Sequence, residues 1–325
     1  MTTSLFPFAD YWWLYGAFTV LVLALLALDL GVFHRKAHAP AFREATLWTC
    51  LWVALAMLFC FGFYQYTGWK FGEVRAKQAA LEFLTGYIVE ESLSLDNMFV
   101  FVLIFGYFRI PVEFHHRVLF YGILGALVFR AIFIALGSSL LQFEWVVILF
   151  GIFLVFTGLK MMLEREQRIE PEKIWVLRLF RRFVPVTPNL AGPRLITRID
   201  GKRHATPLLL TLAAIETADI LFAIDSVPAI FAITSEPFIV YTSNVFAILG
   251  LRSMYFLLAG ALGRFHLLRY GLSLILIFVG LKMSWLNVQW SGHFPITLSL
   301  GVIAFLLSAS IGLSLLFPKR TVPAR

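Results

Sequence analysis

Nine apolar stretches, each about as long as a bilayer is thick, divide this chain almost end to end. They cover residues 11–33, 45–66, 79–108, 118–140, 145–163, 207–233, 237–262, 267–285 and 295–317. A hydrocarbon core of about 30 Å takes about 20 helical residues. The chain is therefore expected to be an all-α polytopic membrane protein of about nine transmembrane helices, with the lipid bilayer as its first partner. Composition agrees: 60% of the 325 residues are hydrophobic and 14% charged, far from the balance of a soluble domain.

The distribution of basic residues predicts orientation. Of the 27 Lys and Arg, 20 fall in the alternate loops 34–44, 107–117, 164–204 and 263–270 and in the tail from Pro318. The opposite loops hold only Lys70, Arg75 and Lys77. By the positive-inside rule the N-terminus is expected outside and the C-terminus in the cytoplasm. The net charge of +8 then reflects topology, and nucleic acid is not an expected partner. Cys50 and Cys60, about 15 Å apart along one helix, are too distant to bridge. The one long loop, 164–204, reads as a basic solvated linker. Within it "EKIWVLRLFRRF" predicts a short amphipathic helix at the inner interface, and Asp200-Gly201 between alternating flanks predicts a two-residue hairpin.

Against this background the carboxylates stand out. "VEESLSLDNMFVF" (89–101) carries Glu90, Glu91 and Asp96, and "IETADILFAIDSVPAIFAIT" (215–234) carries Glu216, Asp219 and Asp225. A carboxylate at the centre of a spanning helix costs roughly 2.5–3.5 kcal/mol, so five of these six cost on the order of 15 kcal/mol, as much as a typical folding stability. Protonation, salt bridges to Arg130 and Arg252, or a bound cation are the available offsets. Two arginines cannot match five ionised carboxylates, so a cavity holding protons or a metal is implied.

The chain also repeats. Residues 96–161 contain D-N, "GILGALVFR" and "FTGLKM"; residues 225–283 contain D-S, "AILGLR" and "FVGLKM". Aligning the aspartates places Glu90 on Asp219 and Asp96 on Asp225. Each unit spans three helices, an odd number, so two inverted three-helix repeats are expected, meeting near the midplane where transporters hold substrate and coupling ions. The chain then divides into two N-terminal helices (1–78), repeat 1 (79–163), the basic loop (164–204), repeat 2 (205–285), and a C-terminal helix with a basic tail (286–325).

Glu216 and Asp219, three apart, share a helix face. Pro228 removes the bond to the Ile224 carbonyl and predicts a broken helix offering a backbone oxygen beside Asp225. Carboxylate, amide and carbonyl oxygens suit Mn²⁺, Mg²⁺ or Ca²⁺, whereas Zn²⁺ and Cu⁺ prefer imidazole or thiolate. The seven histidines lie in or near loops. The candidate metal set is Glu90, Asp96, Asn97, Glu216, Asp219 and Asp225. Asn97 and Ser226 either add neutral oxygens or cap a broken helix end. Asp29 is a gate residue or an interfacial charge, Asn244 a ligand or interhelical glue, and Arg130 and Arg252 balance charge. Met98 is a soft ligand or a packing residue; Lys160 and Lys282 are expected to snorkel.

These stretches, with "DLGVFHRKAHAP" and "HFPITLSLGVIA", resemble the TerC/Alx family of bacterial membrane proteins over nearly the whole chain. The family is named for tellurium resistance, and the resemblance implies a manganese exporter in the bacterial inner membrane, some members being linked to metal supply for exported enzymes. Its acidic motif falls on Glu90, Asp96, Glu216, Asp219 and Asp225. Glu91 departs from a frequent Lys, and Ala218 from the usual Ser or Thr. The function expected is export of a hard divalent cation, foremost Mn²⁺ with Ca²⁺ or Mg²⁺ behind it, with no permanently bound cofactor and no enzymatic activity. The alternative is an accessory protein that supplies metal to exported enzymes or scaffolds a tellurite or metal stress complex, with membrane-complex or secretion-associated partners. Intramembrane aspartyl proteolysis is disfavoured because the aspartates follow Leu95 and Ile224. Five carboxylates would repel a tellurite anion. No Gly-rich Lys-Ser/Thr phosphate loop is present for ATP hydrolysis.

Overall fold

The computed structural model describes residues 5–29, 41–140, 143–163, 185–187, 190, 192–199, 202–259, 267–286, 289 and 294–317; the side chains of Asp96, Phe99, Glu144, Lys202 and Asp225 lie outside that description. Among the described residues nine helices run α1 (Phe8–Leu28), α2 (Phe42–Phe71), α3 (Glu73–Tyr107), α4 (Val112–Leu140), α5 (Glu144–Leu163), α6 (Pro207–Phe231), α7 (Pro237–Ala259), α8 (Leu268–Leu281) and α9 (Ile296–Leu316). A π-helical turn, Lys282–Leu286, extends α8. Eight of these segments are long and apolar enough to cross a membrane. The remaining one, α3, has 35 residues and carries Glu82, Glu90, Glu91 and Asp96, which lower its apolarity. The protein is thus an all-α polytopic membrane protein.

Local sequence explains several boundaries. Gly72 has φ 90° and alone separates α2 from α3, a left-handed position that glycine adopts without a Cβ penalty. Pro207 opens α6, where its missing N–H would have no helical partner anyway. Between α5 and α6, β1 (Ile196–Ile199) and β2 (Lys202–Ala205) pair antiparallel with Ile199 opposite Lys202, the hairpin predicted around Asp200-Gly201. Thr206 bolts it to α6 by donating its hydroxyl to the carbonyls of Arg194 and Leu195, at 2.8 and 3.0 Å. The predicted amphipathic helix lies outside the described residues.

Two expectations are corrected. α6 continues as a helix through Pro228 and ends three residues later. The proline deprives the Ile224 carbonyl of its helical donor, but less than one further turn follows it, so few backbone bonds are at stake and the helix is not broken. Lys282 does not snorkel: it is 3% exposed and sits within electrostatic reach of Glu82. Lys160 is exposed, as expected.

The bundle is organised by three helix pairs, α3 along α7, α4 along α6 and α5 along α8, with α3–α6 and α4–α7 crossing between them. The α5–α8 crossing is close because glycines face backbone. A Cβ on Gly158 would lie 2.8 Å from the Ser273 carbonyl and 3.0 Å from the Ile277 nitrogen; one on Gly280 would lie 2.6 Å from the Gly151 carbonyl and 2.8 Å from the Val155 nitrogen. Gly158 and Gly280 are the glycines of the two G-L-K-M motifs. Their partners occupy matching places, Gly151 and Ser273 seven residues before the motif glycine, Val155 and Ile277 three before. Gly280→Ala is expected to destabilise the protein by about 1–3 kcal/mol through overpacking, read as a lower thermal midpoint in detergent. Gly312→Ala, with nothing within 4 Å of its Cβ, should stay within about 0.5 kcal/mol.

α1 and α2 cover one side of the pairs with an aromatic layer. Phe6, fully buried, packs its ring 5.4 Å from both Phe63 and Phe71 and 5.7 Å from Phe238. The backbone N–H groups of Leu5 and Phe6 donate to the Glu236 carboxylate, at 2.6 and 3.4 Å, tying the N-terminal segment to the α6–α7 turn. Burial pushes the Glu236 carboxyl above the usual carboxylate range, and those two donors work against it.

Candidate functional site

At the centre of the four helices α3, α4, α6 and α7 lies a guanidinium. Arg130 of α4 is fully buried, and its Nη1 donates to Glu90 Oε1 on α3. The same nitrogen reaches Asn244 Oδ1 on α7 at 3.0 Å and Ser226 Oγ on α6 at 3.3 Å. Its Nη2 stands 3.6 Å from Asp219 Oδ1 on α6. Arginine's planar fork of five donors can serve acceptors on several helices at once, and a buried ion pair is tolerable only with such further bonds. The structure therefore brings together Glu90, Arg130, Asp219, Ser226 and Asn244 as one centre. Ser226 and Asn244 both accept from the arginine.

The centre leaves polar atoms of both kinds unpaired. Among the described residues Glu90 Oε2 and Asp219 Oδ2, with Glu216 Oε2 elsewhere on α6, are buried without a hydrogen-bond partner, as are Arg130 Nε and Nη2. Glu216 packs against Gly125 of α4 so closely that any Cβ there would collide with its carboxyl. Glu91 turns the other way, accepting from the Tyr87 hydroxyl at 3.3 Å and lying 3.3 Å from where a Cβ on Gly250 would be. Both I-L-G glycines thus make room for a partly buried glutamate on the first helix of the other unit.

The second arginine is separate. Arg252 of α7 donates its Nη2 to Asp29 Oδ2, just past the end of α1. Asp219 and Arg252 also line a cavity of about 20 Å³ whose other walls include Phe101, Gly122, Ile215 and Leu251. That is room for about one water-sized occupant. Among the described residues no three His, Cys, Asp or Glu side chains gather as a metal cluster; Asp96 on α3 and Asp225 on α6 have side chains outside the described set. Asn97 is buried with its Nδ2 unpartnered. Met98 is fully buried in the hydrophobic cluster around Phe101, Phe105 and Leu119, a packing residue.

Two polar residues of α3 escaped the sequence reading. Ser94 is fully buried with no partner for its hydroxyl. Glu82 accepts from the Thr234 hydroxyl at 2.5 Å and from Gln78 Nε2 at 2.9 Å. The signal was there: Glu82, Gly86, Glu90, Ser94 and Asn97 recur at the three- and four-residue spacing of a single helix face.

An all-helical membrane bundle whose core is an arginine shared by carboxylates from separate helices defines a class of polytopic membrane protein with a charged intramembrane centre. The profile of the Integral membrane protein TerC family matches residues 75–322, and the chain belongs to that family. It is 51% identical over 304 residues to an uncharacterised membrane protein of Myxococcus xanthus, covering 93% of this chain and 92% of that one. It is 46% identical over 292 residues to the Escherichia coli (strain K12) protein named Alx, described as a proposed membrane-bound redox modulator, covering 89% and 90%. A Rickettsia felis membrane protein is 40% identical over 267 residues, covering 82% and 86%. No solved structure matches.

Proposed function

We propose that the protein is an inner-membrane transporter that exports a hard divalent cation, foremost Mn²⁺, in exchange for protons. The observation that carries this reading is the Arg130 centre, where carboxylates from α3 and α6 converge and keep buried oxygens that no protein donor satisfies. Intramembrane ionisable residues that face the bundle interior mark ion pathways by default. Oxygen donors alone select a hard cation. In a dry site the same carboxylates hold either a divalent ion or protons, and that competition couples opposite fluxes.

Two further features support the reading. The polar face of α3 from Glu82 to Asn97 extends about 22 Å along the helix, most of a hydrocarbon core. The packing partners also map onto one another if α3–α5 and α6–α8 are inverted copies: α3–α7 exchanges with α6–α4, α5–α8 maps onto itself, and the Gly158 and Gly280 contacts are equivalent. With the N-terminus outside, Asp29 and Arg252 then lie toward the cytoplasm and Ser226 toward the exterior.

Purified protein in vesicles oriented inside-out, with a Mn²⁺-sensing dye in the lumen, tests the proposal. Mn²⁺ uptake at least about tenfold above protein-free vesicles is expected, changing when a pH gradient is imposed. Uptake indifferent to that gradient removes the proton coupling alone. No Mn²⁺ movement under any gradient sinks the transport reading in favour of metal handover to exported proteins.

A further inference from the structure

The two units carry equivalent arginines, yet the structure uses them unequally. Glu90 and Asp219, the matching acidic residues, both face Arg130. Arg252 is instead held by Asp29 at the end of α1, a helix that belongs to neither unit. Asp219 nevertheless borders the same small cavity as Arg252, and these are its two charged lining residues. Asp219 therefore pairs with one guanidinium and shares the lining of a small cavity with the other.

We propose that Arg252 is a second counter-cation of the carboxylate site, exchanging Asp29 for Asp219 as Arg130 withdraws. This rests on the transport reading above. A carrier whose site has released its cargo still holds buried carboxylates, and a buried charge must be paired. An arginine tethered on each inverted unit supplies that charge from alternate sides. In the present arrangement Arg130 draws α3, α4, α6 and α7 together toward the exterior. In the exchanged arrangement Arg252 draws α6 and α7 together toward the cytoplasm, and the exterior side opens. Asp29 and Asp219 compete for one guanidinium, so Asp29 sets the balance between the two arrangements; removing its charge shifts the population toward the exchanged one. The role of Asp29 as gate or interfacial charge is thereby assigned: it is the rival anion that keeps Arg252 away from the site.

The test reads exposure of a position that Arg130 covers. Ser226, 2% exposed and bonded to Arg130, is replaced in a Cys50→Ser, Cys60→Ser chain by Ser226→Cys, and its reaction with a membrane-impermeant cationic methanethiosulfonate is timed from the outside in right-side-out vesicles without Mn²⁺. Adding Asp29→Asn is expected to raise the rate at least about tenfold, the change in population that loss of a charged competitor produces. Adding Arg252→Gln to that chain should return it to within about twofold of the parent, because the effect needs the freed guanidinium. Arg252→Gln without the Asp29 change should sit at or below the parent rate, which keeps the test decisive if Asp29→Asn does not fold. An unchanged rate in Asp29→Asn, a rise that survives the Arg252 substitution, or a rise in Arg252→Gln alone each overturns the exchange. Labelling needs no cargo, so the two readings fail separately. The expected pattern without Mn²⁺ flux removes the transport reading and keeps the exchange; flux without any labelling response does the reverse.

Discussion

Arg130→Gln is expected to lower stability by about 3–5 kcal/mol, the cost of stranding a buried charge whose partner has been removed. Arg130 is fully buried, and its loss leaves Glu90 and Asp219 facing each other's helices with no cation between them. Thermal unfolding in detergent, with yield from the membrane fraction, measures the effect. The sharper result is the double variant. Glu90→Gln in the Arg130→Gln chain replaces the stranded ion by a neutral group of the same shape, so much of the lost stability should return, a coupling of order 0.5–3 kcal/mol between residues in contact. Strictly additive losses would show that the Arg130–Glu90 pair is not the contact that matters.

Asp96→Asn and Asp225→Asn are each expected to abolish Mn²⁺ transport while protein abundance stays near that of the parent. On the proposed transport reading these aspartates hold the ion, so the loss should exceed the about 10–100-fold typical of changes one shell further out, and Asn keeps the size of the side chain. Glu91→Lys, by contrast, should be tolerated, since Glu91 points to Tyr87 and Gly250 and away from Arg130. Initial rates in the vesicle assay, set against immunoblots of the same membranes, decide the matter. Full transport in both Asn variants would end the claim that these aspartates carry the ion.

The site was partly legible before any tertiary information. Glu90, Asp219, Arg130, Ser226 and Asn244 drew notice because polar side chains in hydrocarbon must be satisfied or functional, and the structure collects all five. Ser94 and Glu82 were missed because each looks ordinary alone and gains meaning only on the face they share with Glu90. Pro228 misled in the opposite sense. Proline breaks a helix when a long run of backbone bonds lies on both sides of it, and here α6 has only three residues left.

The sequence by itself determined the all-helical membrane fold, the number and approximate bounds of the long helices and the pairing of strands Ile196–Ile199 and Lys202–Ala205. Each is a local consequence of apolar length, backbone hydrogen bonding and turn chemistry. Pairing was decided only in three dimensions. Glu90 and Glu91 are neighbours in the chain, yet about 100° apart around a helix, so one meets Arg130 and the other Gly250. Lys160 and Lys282 hold the same place in identical G-L-K-M motifs, yet one is exposed and the other buried near Glu82. Which of two equivalent arginines takes both acidic residues, and which is held by Asp29, depends on how α1 packs beside the repeated helices. Distance between charges on different helices leaves no trace in either helix's own periodicity, because it is a property of their packing.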